Sequence, residues 1–152
     1  MTTMNSITQC DSKSNLSLHK LVDDVINVSS PVPAHTKSPV VNNVPANLYL
    51  NTNKDIVASV IDGLLNAVIM NATDGEIYVS AKELFGNTVK VFVKDNNCYN
   101  TYAVACGLQK VVPLAEKIGG YLNIINQRQK ITTIEFSFPL ATEEKNQFEA
   151  DD

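Results

Sequence analysis

The stretch DIVASVIDGLLNAVIMNA, residues 55–72, decides the fold. Val57, Val60, Ile61, Leu64, Leu65 and Val68 recur at spacings of three and four, which predicts a helix with a broad apolar face. Asn53 is a good N-cap, and Asp55 places a negative charge in the first turn, at the positive end of the helix dipole. A helix that is apolar on one side must bury that side against another layer. The residues around it supply that layer.

Downstream, Asp74-Gly75 reads as a turn. Ile77, Val79 and Ala81 then alternate, as do Val89, Val91 and Val93, with Gly86-Asn87 between the runs; this predicts an antiparallel hairpin. Asp95-Asn96-Asn97 ends its second strand. Residues 98–106 follow neither period cleanly. Val104, Leu108, Val111, Leu114, Ala115 and Ile118 have helical spacing, and Pro113 interrupts them, so a kink or two short helices is expected, with Pro113 opening the second. Gly119-Gly120 closes that segment. Leu122 and Ile124, then Ile134, Phe136 and Phe138, alternate as a final antiparallel pair around a loop at 127–130.

Upstream, Asn15 or Ser17 can cap a first helix whose stripe is Leu18, Leu21, Val22, Val25 and Ile26 and which stops by Ser29-Ser30-Pro31. Residues 31–39 carry three prolines and read as a loop. Val40, Val41 and Val44 predict one short strand, and Leu48-Tyr49-Leu50 another. Residues 1–14 are a polar tail or edge strand, and the acidic residues 141–152 are expected to be disordered. The whole reads as one α/β (α+β) domain over residues 15–140. It is a two-layer sandwich, with about three helices on one face of a mixed, mostly antiparallel sheet.

Composition narrows the class. With 152 residues, 44% apolar and 18% charged, the chain is an ordinary globular domain. A net charge of −4 with no basic patch argues against a nucleic-acid partner. Cys10, Cys98 and Cys106 form neither a disulfide framework nor a zinc pattern and read as reduced thiols. No signal peptide and no membrane-spanning run is visible, so a cytoplasmic protein is expected.

The strands and helices in this order resemble the ATP-binding domain of sensor histidine kinases, the Bergerat fold. GGYLNIINQRQKITTIEFSFPL follows that family's pattern of Gly-Gly, strand, loop, Thr-Thr, aromatic-alternating strand and Pro-Leu. Gly107-Leu108 falls where its glycine-rich box opens a helix, and Leu16-Ser17-Leu18 matches its first segment. The resemblance implies a nucleotide pocket between the long helix and the sheet. Asp95 takes the place of the aspartate that accepts the adenine amino group, and Thr132 that of the threonine that fixes adenine through water. Thr132 shares the parity of Ile134 and Phe136 and should face inward.

Other positions depart from the pattern. GLLNAV puts Gly63 and Ala67 where the family has its two asparagines, one of which holds Mg²⁺. Neither side chain carries an oxygen for a hard cation. Asn66 is rotated about 100° from Ala67 and can serve only if the register shifts. The glycines expected after Asp95 are Asn97 and Tyr99, and those before Thr132 are Gln129 and Ile131. The residues before Gly107 are Ala103-Val104-Ala105-Cys106, and the span from Asp95 is too short for a lid of the usual length.

One magnitude weighs the functions. A hydrogen bond to a charged group contributes about 1.5–3 kcal/mol, whereas micromolar affinity needs about 8 kcal/mol. Asp95 and Thr132 alone do not reach it. The residues therefore favour a degenerate, non-catalytic signalling module that binds a protein partner or itself, with no cofactor. The alternative is a divergent ATP-binding regulator of the stand-alone histidine-kinase or anti-sigma type, with ATP and Mg²⁺ as cofactors and Asp95, Asn66, Gly107 and Thr132 as its pocket. No catalytic residue and no metal site is assigned. His19 and His35 read as ordinary histidines. The pocket mouth beside Gly63 is expected to be narrowed or filled, with Met70, Tyr99 or Tyr102 as the plug.

Overall fold

The computed structural model describes residues 16–29, 40–72, 76–84, 87–97, 101–125 and 131–140. The tails at 1–14 and 141–152, the Asp74-Gly75 turn, the 127–130 loop, Cys10, Cys98, His35 and Tyr99 lie outside the described residues. The elements run β1 (Leu16–Ser17), α1 (Leu18–Ser29), β2 (Val40–Asn42), β3 (Tyr49–Leu50), α2 (Lys54–Met70), β4 (Ile77–Leu84), β5 (Thr88–Asp95), α3 (Thr101–Leu108), α4 (Val112–Lys117), β6 (Tyr121–Ile125) and β7 (Thr132–Pro139).

The long helix is α2, and its six stripe residues are at most 1% exposed. Its N-cap is Asn53, whose side chain accepts from the N–H groups of Asp55 and Ile56. It ends at Met70 rather than at Ala72, because the Asn71 N–H turns back to carbonyls of the last turn. The first helix is capped by Ser17, whose Oγ accepts from the Lys20 N–H. Val44 is buried but belongs to the loop after β2, not to the strand.

Five strands form one sheet in the order β2-β4-β5-β7-β6, and β1 pairs with β3 in a separate antiparallel ribbon. Within the large sheet β2 is parallel to β4 and every other pairing is antiparallel. The architecture is thus a mixed two-layer α/β sandwich. The β4–β5 turn uses Asn87 at φ 64°, a left-handed conformation that asparagine tolerates better than most residues. Pro113 sits in the first turn of α4, so the interrupted helical pattern resolves into two short helices. Gly119 then reverses the chain at φ 76°.

The register aligns rows of side chains across the sheet. Val79, Val93, Ile134 and Ile124 form one row of the inner face, and Ala81, Val91, Phe136 and Leu122 the next. Most of these are buried against the helices, and the Phe136 and Phe138 rings lie 4.7 Å apart between centroids. Among the described residues, no helix is long and apolar enough to cross a membrane.

Candidate functional site

The inner-face rows end in a polar one. Ile77, Asp95 and Thr132 lie side by side across β4, β5 and β7. Alternation along β5 therefore carries Val89, Val91 and Val93 into a carboxylate that is 1% exposed. The two oxygens of Asp95 do different work. Oδ1 accepts the Asn97 N–H at 3.0 Å and builds the turn that ends the strand. Oδ2 is buried and, among the described residues, is the one buried side-chain polar atom with no hydrogen-bond partner. Burial pushes the Asp95 carboxyl above the usual carboxylate range, and the Asn97 N–H draws it part of the way back.

Thr132 is equally buried, and its Oγ1 lies 3.0 Å from Oγ1 of Thr101, the first residue of α3. A hydroxyl that bonds another hydroxyl can donate or accept. The pair therefore ties the start of α3 to the last strand beside the carboxylate.

The flank of α2 at Gly63 and Ala67 is covered by the next two helices. An added Cβ on Gly63 would stand 2.6 Å from a Val111 methyl. An added Cβ on Gly107 would stand 3.2 Å from the Ala67 methyl. The α3–α4 segment therefore runs antiparallel to α2, with 107 over 67 and 111 over 63. Val111 and Leu108 are buried in this contact layer.

No family model matches this sequence, and no curated protein matches it. Solved structures do. The chain is similar to the Acinetobacter baumannii histidine kinase AdeS at 10% identity and TM-score 0.70, over 84% of this chain and 66% of that one. It is similar to the catalytic domain of histidine kinase ThkA at 14% identity and TM-score 0.68, over 86% and 97%. It is similar to full-length ShkA, determined in complex with AMPPNP, at 15% identity and TM-score 0.72, over 84% of this chain and 31% of that one. The fold is that of a histidine-kinase ATPase domain. The chain spans less than two thirds of AdeS and of ShkA, and identities this low speak to the fold alone.

Placed on the histidine-kinase ATPase fold, the expected pocket residues divide. Asp95 and Thr132 stand together at the end of the sheet's inner face. Asn66 does not join them: it is exposed, and its amide donates to Asp62 Oδ2 one turn back. Gly107 has its close neighbour in Ala67 and serves helix packing. Met70 and Tyr102 are 80% and 79% exposed, so neither plugs the flank of α2. Val111 occupies that place, and Thr101 is the further residue that periodicity missed. A glycine inside an otherwise apolar helix was the available signal, since it marks the close approach of a neighbour.

The fit to the cofactors of this fold is split. Buried Oδ2 of Asp95 is a free acceptor suited to an amino group such as that of adenine. A hard cation would find a methyl and an α-carbon at Ala67 and Gly63, under the side chain of Val111. Among the described residues, no three His, Cys, Asp or Glu side chains gather as a metal set.

Proposed function

We propose that this protein is a non-catalytic regulatory module that keeps the histidine-kinase ATPase fold and acts by binding a protein, another or itself, without ATP or metal. The observation that supports the reading is the seating of Val111 on Gly63, with Gly107 on Ala67. The flank of α2 to which the kinase resemblance assigns the magnesium asparagine is occupied by packed side chains. Without metal, a triphosphate has no counter-charge there, and phosphoryl transfer rests almost entirely on such positioning and electrostatics. The exposed free thiol of Cys106 suits a reducing compartment, and we place the module in the cytoplasm.

A second reading has its own observation. The unpartnered Oδ2 of Asp95, beside Thr132, favours a divergent ATP-binding regulator that holds the base end of a nucleotide. Thermal melting with and without millimolar Mg-ATP, ADP or GTP separates the two. A ligand at 100 times its dissociation constant adds about 2.7 kcal/mol, a shift of several degrees. The first reading expects no shift. A shift with any of these nucleotides that Asp95→Ala abolishes would overturn it in favour of the second.

A further inference from the structure

A sheet that ends in an unpaired strand presents a row of backbone donors and acceptors, and proteins usually blunt such edges with lysine, proline, charge or a cover. The two edges of the five-stranded sheet differ in this respect. At one edge β2 has only three residues. Pro39 and Pro45 flank it in sequence, and Asn42 is tied down by bonds to the His19 carbonyl and to Asp23. At the other edge β6 has five residues, Tyr121-Leu122-Asn123-Ile124-Ile125, with no charge and no proline. Among the described residues, its backbone ladder runs to β7 alone. Tyr121 is 51% exposed, Asn123 is exposed, and the three aliphatic residues are half-buried.

The sequence of β6 is self-complementary. In an antiparallel pair of identical strands about a two-fold axis, the central residue faces itself. With Asn123 at the centre, Leu122 faces Ile124 of the second copy and Tyr121 faces its Ile125. The inner-face pair joins aliphatic to aliphatic, the outer pair joins aromatic to aliphatic, and the amides meet at the axis. Because the axis is perpendicular to the sheet, both helical layers stay on the same side. A one-residue shift would instead set Leu122 against Asn123 and exchange the two faces.

We infer that β6 is a homodimerisation edge, which pairs with β6 of a second copy in the register centred on Asn123. This gives the proposed interaction module its partner and rests on that reading only for its purpose. Melting with nucleotide tests the pocket and association tests the edge, so the two can fail separately.

The test is sedimentation of the intact chain from micromolar to near-millimolar concentration. Wild type is expected to show a reversible monomer–dimer equilibrium. Asn123→Lys sets two ammonium groups face to face only in the dimer and should weaken it at least about tenfold. An equal mixture of Asn123→Lys and Asn123→Glu should recover a heterodimer. Melting of each variant checks that this exposed position leaves the fold intact. A strict monomer throughout, or a dimer that Asn123→Lys leaves unchanged, overturns the inference. In the second case, loss of the dimer with Met70→Ser or Tyr102→Ser would move the interface to those exposed side chains.

Discussion

An oxygen-bearing side chain at position 63 of the long helix should destabilise the protein without creating a magnesium site. In Gly63→Asn the new Cβ begins 2.6 Å from a Val111 methyl, where carbon atoms at rest stand about 3.5–4 Å apart. Val111 is 4% exposed, so relief requires about 1 Å of movement in a packed layer. Overpacking of this kind costs about 1–3 kcal/mol. Asparagine recovers only a few tenths over glycine in helix propensity. Taking about 2 kcal/mol as the net loss, and about 2–4 °C per kcal/mol for a chain of this size, melting should fall by about 4–8 °C. Mg-ATP should return none of it. Gly63→Asn with Val111→Ala should be more stable than the sum of the single changes predicts, because the second removes the methyls the first collides with. A neutral Gly63→Asn, or one that Mg-ATP stabilises, would refute the closed flank.

The other predictions concern the sheet. The raised carboxyl of Asp95 means that the folded state holds its proton more tightly than the unfolded chain does. Its contribution is therefore complete below the ordinary carboxylate range and is lost as pH rises through the folded value. Relative to Asp95→Asn, wild type should lose stability as pH rises from about 4 towards neutrality, measured by urea unfolding at a series of pH values; a constant difference would remove Oδ2 from the buried face. Gly120→Ala should cost about 1–3 kcal/mol in the same assay, because its Cβ would stand 2.5 Å from the Ser137 carbonyl oxygen, which is backbone and cannot rotate away.

Much of this molecule is written in local patterns. The stripe of α2, the parity that turns Thr132 inward and the alternation from Val89 to Val93 all depend on spacing within one element, and spacing is what a sequence displays. Asp95 was legible as a turn former, and Oδ1 builds that turn, while Oδ2 stands buried without a partner. The cover of α2 was not legible, because periodicity tells which face of a helix is buried and not which residue buries it. Met70 and Tyr102 had the size of plugs but not the direction. Tyr102 lies two residues before buried Val104, more than half a turn around α3, and Met70 ends α2 one turn past the Ala67–Gly107 contact. The Thr101–Thr132 bond spans 31 positions and depends on the hairpin and helix being placed first.

The contact of Val111 with Gly63 also couples the two positions, so that neither changes alone without cost. A side chain with an oxygen at position 63 collides with Val111 if it arises first. A smaller residue at position 111, if it arises first, leaves a cavity on the bare α-carbon, which costs of the order of 1–2 kcal/mol for a lost pair of methyls. Both orders of change go downhill before they can climb. A chain that has this pair is therefore held at glycine in position 63 by the packing of its own core.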